Sequence, residues 1–209
     1  MRKNRIFEIV NMIPDGKGII DVGTDHAYVP IELAKRGYTG NIIASDINEG
    51  PLDRARLNYI EAEIDKEIDF LLCDGLQLCD PDKIDTVVIA GMGGDLICDI
   101  IDKAEWTMNS HFLLILQPMT KCEILRYFLV NNGYGILSEK HIEDSGKQYT
   151  IITSRYSGFN TIYSDAEIFV GKNPTEKLVK NTISSFRKKP SNRFNVNIIS
   201  ELENFIYDS

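Results

Sequence analysis

The chain has 209 residues, of which 43% are hydrophobic and 26% are charged, and it carries a formal net charge of −8. This length and balance predict a soluble globular protein with one main domain, and the acidic charge argues against a general nucleic-acid binder. Because no apolar run is long enough to span a bilayer and no signal peptide follows the basic N-terminus, we expect a cytoplasmic protein with no membrane partner.

Short apolar runs alternate with helical segments along the first 131 residues, which predicts a parallel α/β sheet. The predicted strands cover residues 18–22, 41–47, 69–73, 85–90 and 111–116. The predicted helices cover residues 5–13, 28–36, 51–66, 95–103 and 120–131. The five strands and the helices between them therefore indicate five consecutive β-α units.

The pattern changes after residue 133, where two strands at 136–142 and 149–156 leave no room for a helix between them. The intervening segment 143–147 is rich in polar residues and glycine, so we predict a β-hairpin. A mostly parallel Rossmann-like sheet that takes up a terminal antiparallel strand is typical of class I S-adenosylmethionine-dependent methyltransferases. Dinucleotide-binding sheets end instead on a parallel strand.

The last part of the chain predicts a separate helical element. Residues 157–171 show no regular pattern, whereas 174–188 and 191–207 each have an apolar helical face, with Pro190 between them. We therefore expect a Rossmann-like domain at residues 1–160 and a C-terminal helical hairpin at residues 161–209.

The turn after the first strand contains Asp21, Gly23, Thr24, Asp25 and His26, all of which we predict to contact the cofactor. Gly23 permits a close approach of the backbone. The turn lacks the G-x-G-x-x-G pattern that holds a pyrophosphate, and its carboxylates favour a cation such as the sulfonium of S-adenosylmethionine. The alternative is a polar turn without a ligand, and a lone histidine in such a turn is more often structural than catalytic.

The ends of the next strands carry further candidates, because ligands of open α/β sheets bind at the carboxyl ends of the strands. Asp46 suits the ribose hydroxyls and Asp74 the adenine amino group. The remaining cofactor candidates are Ile47, Asn48, Gly75, Ala90, Gly91 and Met92. The residues that we predict to contact the methyl acceptor are Tyr28, Gly93, Gln117 and Pro118.

A basic segment at residues 171–193 has seven basic side chains and one acidic side chain. An acidic body with a basic appendage is able to hold an anionic partner, because the local field decides where that partner docks. Together with Arg2, Lys3 and Arg5, the candidate phosphate contacts are Lys172, Lys177, Lys180, Arg187 and Lys188. The alternative is a solvated helix face. The four cysteines have no metal-ligand spacing, so we expect no metal.

Several strings occur in order along the chain: Asp21-Val22-Gly23-Thr24-Asp25-His26-Ala27-Tyr28-Val29-Pro30, Asn48-Glu49-Gly50-Pro51, Asp74-Gly75-Leu76, Ile89-Ala90-Gly91-Met92-Gly93-Gly94 and Leu114-Ile115-Leu116-Gln117-Pro118. With these strings, residues 1–156 resemble the TrmK-type bacterial tRNA adenine N1-methyltransferases. The resemblance implies methylation of adenine 22 of tRNA, S-adenosylmethionine as cofactor, and Asp25 as the candidate catalytic residue. Met119 stands where the family often has asparagine.

The residues leave other functions open. The chain could methylate another RNA, a protein or a small molecule with the same cofactor site. A nicotinamide oxidoreductase is opposed by the glycine-poor turn and the closing hairpin, and a non-catalytic nucleotide-binding module is a further alternative. We expect a monomer or weak dimer that binds tRNA.

Overall fold

The computed structural model describes the backbone of residues 3–144 and 146–207. Arg2, Ser145 of the predicted hairpin loop and the side chain of Lys3 lie outside the described residues. The strands are Gly18–Val22 (β1), Asn41–Asp46 (β2), Asp69–Leu72 (β3), Thr86–Gly93 (β4), Leu113–Thr120 (β5), Tyr134–Asp144 (β6) and Lys147–Tyr156 (β7). The helices are Lys3–Asn11 (α1), Tyr28–Lys35 (α2), Glu49–Glu61 (α3), Gly94–Asp102 (α4), Cys122–Asn131 (α5), Asp165–Val170 (α6), Glu176–Arg187 (α7) and Arg193–Tyr207 (α8).

The seven strands form one sheet in the order β3-β2-β1-β4-β5-β7-β6. The first five strands pair in parallel, and β7 lies antiparallel between β5 and β6. The predicted fold class and its closing antiparallel strand are therefore confirmed. The strand order reverses next to β1, which is where open α/β sheets bind their ligands.

Apolar side chains alternate between the two faces of the sheet, so that each face packs against helices. One cluster joins Ile20, Val87 and Leu114 to α4 and α5, and the other joins Ile19, Val88 and Ile115 to α1, α2 and α3. Burial on both sides explains why these strands read as continuous apolar runs in the sequence.

β4 and β5 extend further than predicted, because they continue to pair beyond their apolar runs. Met92 pairs with Pro118 and Gly93 pairs with Thr120, with register shifts on either side of Met92. The residues predicted to form a turn after β4 therefore partly continue the strand, and they pair with β5 at the carboxyl ends of the two strands.

The C-terminal segment contains three helices rather than the predicted two. α7 and α8 are confirmed as helices, but α6 lies in a stretch expected to be irregular. A capping box between Ser164 and Glu167 starts α6. Ala166 and Val170 of α6 are buried against Ile183 of α7 and Leu202 of α8. A small apolar core of its own thus holds the appendage together.

A buried ion pair attaches this appendage to the sheet domain. Arg126 on α5 donates through Nε to Glu139 on β6 at 2.6 Å, and its Nη1 donates to the carbonyl oxygens of Ile168 and Phe169 at 3.1 and 2.9 Å. These two carbonyls belong to the last turn of α6, where the helix itself leaves them without partners. Arg126 therefore joins α5, β6 and α6.

The part of the chain that the structure describes has no helix long and apolar enough to cross a membrane. Within the same residues, no group of three or more His, Cys, Asp or Glu is placed to hold a metal ion. All four cysteines are free. Burial raises the pKa of the Cys79 and Cys98 thiols to about 12, so both stay protonated near neutral pH.

Candidate active site

A cavity of about 240 Å³ opens where β1 and β4 end. Its walls come from α1, the turn between β1 and α2, and the end of β4. The lining residues are Arg5, Ile6, Asp21, Gly23, Thr24, Asp25, His26, Tyr28, Val29, Ala90 and Gly91. The structure thus brings together the predicted residues of the first turn with Ala90, Gly91 and the predicted acceptor contact Tyr28.

Asp21 is the buried carboxyl group of this cavity. Its Oδ2 accepts a hydrogen bond of 2.7 Å from the Thr24 hydroxyl. Burial raises the pKa of Asp21 to about 7; the bond from Thr24 opposes this shift and the carboxylate of Asp46 adds to it. A positively charged ligand group beside Asp21 would favour its ionised form.

Gly23 lets the turn lie close to β4. Its φ of +68° falls in the left-handed region, and a Cβ atom there would stand 2.0 Å from Cε of Met92. Met92, predicted to contact the cofactor, therefore packs under the turn and is not among the residues that line the cavity. Gly91 has a φ of +84° with open space where a side chain would point.

Asp25 lies at the mouth of the cavity with two neighbours. Its Oδ1 accepts from Arg54 Nη2 at 2.9 Å, and its Oδ2 is 3.4 Å from Nε2 of His26. The ring of Tyr28 stacks on His26, with centroids 5.1 Å apart. Asp25 and Ala27 both have positive φ values, +49° and +54°, so the turn presents its side chains from an uncommon backbone conformation.

Sequence reasoning missed the two α3 residues that face this turn. Besides Arg54, Asn58 donates through Nδ2 to the carbonyl oxygen of His26 at 2.9 Å and lies 3.4 Å from the ring Nδ1. The available signal was their spacing, because residues four apart share a helix face.

Asp46 and its neighbours form a second polar position at the end of β2. Asp46 is buried, and its Oδ1 accepts from the backbone N–H of Asn48 at 3.0 Å. The side chain of Ile47 is largely exposed. Asp46, Ile47 and Asn48 do not line the cavity at Asp21, although Asp46 acts electrostatically on Asp21.

Asp74 and Gly75 face a different part of the molecule. They line a small separate cavity of about 50 Å³ together with residues of α4, including Ile100. Gly75 packs so tightly on this helix that a Cβ would lie 3.2 Å from Cγ2 of Ile100. The structure therefore does not bring these two residues into the cavity at Asp21.

The predicted acceptor residues of β4 and β5 lie beside the cavity. Gln117 is fully buried and pairs with Ala90, which lines the cavity wall. Its Nε2 donates to the Pro118 carbonyl oxygen at 2.9 Å, whereas no described residue donates to its Oε1. Gly93 caps the N-terminus of α4. A buried amide oxygen without a donor suits a ligand amino group.

Arg5 connects the cavity to the end of β5. Its Nη1 lies 3.0 Å from Sδ of Met119, and its guanidinium lies 5.2 Å from the ring centroid of Tyr149. A groove of about 350 Å³ continues from Pro118 and Met119 to α7. A cationic side chain thus stands between the cavity and a groove that leads to the appendage.

The predicted basic contacts are divided among several places. Lys180, Arg187 and Lys188 line a groove of about 540 Å³ between α7 and α8. Lys180 pairs with Glu176 and Arg187 pairs with Glu203. Elsewhere, Lys177 pairs with Glu143 of the hairpin and Lys172 lies over the Tyr163 ring. Exposed ion pairs are weak, so these cations remain able to exchange a carboxylate for a phosphate.

Comparison with known proteins assigns this chain to a family. Residues 2–152 match the family described as "Methyltransferase domain". The tRNA (adenine(22)-N(1))-methyltransferase of Bacillus subtilis strain 168 is 28% identical over 185 residues, which cover 88% of this chain and 78% of that protein. A putative tRNA methyltransferase of Mycoplasma genitalium is 31% identical over 154 residues, covering 72% of this chain and 68% of that protein.

The likeness to solved structures extends through the C-terminal helices. A crystal structure of a putative tRNA (m1A22) methyltransferase from Streptococcus pneumoniae, in complex with S-adenosyl-L-methionine, superposes with a TM-score of 0.85 at 28% identity. The superposition covers 97% of this chain and 98% of that chain. The chain therefore belongs to the methyltransferase-domain family and, within it, to the TrmK-type tRNA methyltransferases.

Proposed function

We propose that this protein transfers a methyl group from S-adenosylmethionine to N1 of adenine 22 in tRNA. The observation that carries the proposal is the cavity at the end of β1, where the buried Asp21 and the more exposed Asp25 offer one carboxyl group to a cationic cofactor and another to an acceptor that becomes cationic on methylation. The TrmK-type family membership supplies the acceptor class.

The residues at the strand ends fit the cofactor. S-adenosylmethionine supplies an electrophilic methyl group on a positively charged sulfur. Asp21 and Thr24 would face its charged methionine part, and Asp46 would accept the ribose hydroxyls. Gly23 and Gly91 line the cavity, and Gly91 leaves open space beside the backbone. Asp74, which lines a small separate cavity at the end of β3, stays the candidate for the adenine amino group.

Asp25 would act on the acceptor by electrostatics. N1 of adenine is neutral before it accepts the methyl group and cationic afterwards, so a carboxylate nearby stabilises the charge that develops. A neutral nucleophile needs no base to activate it, and positioning supplies much of the rate. Asp25 is also able to accept the proton that N6 later releases.

Tyr28 and Gln117 would recognise the base itself. N1 is buried in a paired base, so the adenine must be unpaired or extruded to reach the cavity. Tyr28 offers an aromatic face at the mouth of the cavity, and Gln117 Oε1 is a buried acceptor that would suit the N6 amino group. Pro118, Gly93 and Met119 would form the adjoining wall.

The pH dependence of cofactor affinity tests Asp21. Because its pKa is raised to about 7, the group is largely protonated below that value and ionised above it. We expect affinity for S-adenosylmethionine to rise with pH, by up to about tenfold per unit, and to level off above about pH 7. Asp21→Asn should bind weakly with no such dependence. An unchanged slope in the variant, measured by calorimetry, would show that another group titrates.

The same shift predicts a stability effect of opposite sign. A carboxyl group whose pKa is raised on folding penalises the folded state increasingly as pH rises from its ordinary value of 3.8 to about 7, and constantly above that. Asp21→Asn should therefore unfold at higher urea concentration than the wild type at pH 8 and show a smaller difference at pH 5. A larger gain at pH 5 would contradict the assignment.

The groove between α7 and α8 should hold phosphates. Replacing Lys180, Arg187 and Lys188 by glutamine should raise KM for tRNA and reduce the slope of log Kd against log salt by about 2 to 3, with kcat nearly unchanged. A matched control replaces three exposed lysines far from the carboxyl ends of the strands: Lys17 before β1, Lys35 at the end of α2 and Lys83 before β4. Equal slopes in the two triple variants, measured by filter binding, would remove the groove from the tRNA interface.

The alternative acceptors are tested by substrate competition. Purified protein with labelled S-adenosylmethionine would be offered total bacterial tRNA, a tRNA-free RNA fraction, a protein extract and a small-molecule extract in parallel. We expect label in tRNA alone. Label in another fraction, with none in tRNA, would support methyltransferase activity but reject tRNA as the substrate.

A tRNA substrate also implies that the protein acts in the cytoplasm. A monomer or weak dimer stays a prediction, testable by sedimentation.

A further inference from the structure

The His26 ring lies between Asn58 of α3 and the carboxylate of Asp25. On one side, Nδ2 of Asn58 is 3.4 Å from its ring Nδ1; on the other, Oδ2 of Asp25 is 3.4 Å from its Nε2. The ring is stacked on Tyr28. Its position in the cavity wall is therefore held from three directions.

Asn58 determines which ring nitrogen carries the hydrogen. Its Nδ2 donates to the backbone oxygen of His26 at 2.9 Å, which fixes the amide with its nitrogen toward the histidine. An amide nitrogen only donates, so the ring Nδ1 beside it must be the acceptor. In the neutral imidazole the hydrogen then sits on Nε2, which faces the carboxylate of Asp25.

Arg54 completes the arrangement from the same helix face. It precedes Asn58 by four residues, and its Nη2 donates to the other oxygen of Asp25 at 2.9 Å. Oδ1 of the carboxylate thus has a donor in Arg54, and Oδ2 lies 3.4 Å from Nε2 of His26. The hydrogen bond from Arg54 on one oxygen and the close ring nitrogen of His26 beside the other restrict rotation of the Asp25 side chain at the cavity mouth.

We propose that Arg54 and Asn58 are positioning residues, which act through Asp25 and His26 to aim the Asp25 carboxylate at the methyl acceptor. This inference rests on the proposed function of Asp25. The side chains of Arg54 and Asp25 are 52% and 56% exposed, so their ion pair adds little to folding stability. The ion pair instead fixes the orientation of the Asp25 carboxylate.

The tautomer of His26 tests the inference without any activity measurement. 15N NMR at alkaline pH, where imidazole is neutral, should show the hydrogen of His26 on Nε2, with the signal assigned by its loss in His26→Gln. Asn58→Asp has the same shape but offers acceptors to Nδ1, so the Nδ1-protonated form should become the major one. The wild type in the Nδ1-protonated form, or no change in Asn58→Asp, would overturn the proposal.

Kinetics separate orientation from packing. Asn58→Asp and Arg54→Met should each lower kcat by about tenfold, while the Kd for S-adenosylmethionine and the KM for tRNA stay within about twofold, as expected for an interaction that acts in the transition state. Arg54→Lys should recover part of the loss because it keeps a donor for Oδ1. Unchanged kcat in both variants of an active enzyme would reject the positioning role. An inactive wild type would instead reject the proposed function and leave the NMR result to stand alone.

Discussion

Asp25→Asn should lower kcat for methyl transfer by about 100-fold, the loss expected when one preorganised electrostatic contact to a developing charge is removed. Asparagine has nearly the same shape and tolerates the positive φ of this position, so the turn should keep its backbone. The change removes the negative charge that would face the cationic adenine. Single-turnover methylation of tRNA at saturating cofactor measures this loss directly.

Two companion variants make the result specific. Asp53→Asn removes another exposed carboxylate of similar surroundings, which pairs with Arg56 on α3, and should leave kcat unchanged. Because Asp25→Asn also leaves Arg54 without its carboxylate partner, the double variant with Arg54→Gln removes that uncompensated charge and should still turn over slowly. A kcat within twofold of the wild type in Asp25→Asn would exclude Asp25 from the chemistry.

Arg126→Met should destabilise the protein by about 3 to 5 kcal/mol, the usual result of leaving one partner of a buried ion pair alone. The side chains of Arg126 and Glu139 are 1% and 7% exposed, so water cannot replace the lost partner. The carbonyl oxygens at the end of α6 lose their donor as well. Urea unfolding followed by circular dichroism would measure the change.

The double variant Arg126→Met/Glu139→Leu identifies the cause. It removes the uncompensated carboxylate and should recover much of the stability, because a buried pair replaced by apolar groups is often neutral. Replacing Gly171 by a residue with a side chain should also destabilise the protein, because a Cβ atom there would stand 1.9 Å from Oε2 of Glu139. A loss below about 1 kcal/mol in Arg126→Met would mean that the appendage does not depend on this pair.

The sheet could be predicted from sequence because its signals are local. Apolar runs such as Val87–Ile89 mark strands buried on both faces, and the short segment between β6 and β7 allows only a hairpin. The first turn was predictable for the same reason, since Gly23 and its flanking carboxylates follow a strand directly. Within the cavity, this local pattern found Asp21, Thr24 and Asp25.

The features that were missed depend on contacts between distant segments. α6 has only six residues, and its last carbonyls are held by Arg126, more than 40 positions away. Arg54 and Asn58 reach the site because α3 packs beside the turn after β1. The close packing of Gly75 on α4, which gives Asp74 and Gly75 a small cavity of their own, is likewise a contact between distant segments. Counting charges also gave no sign that Lys177, Lys180 and Arg187 have acidic partners.

The most direct test of the account is the position of the methyl group. A tRNA transcript with adenine at position 22 and a second with guanine there would be incubated with the protein and labelled S-adenosylmethionine, and reverse transcription would locate the modified base. We expect one methyl group per molecule in the first transcript, with reverse transcription blocked by the base at position 22, and none in the second. Equal labelling of the two transcripts, or a stop at another base, would contradict the proposed reaction.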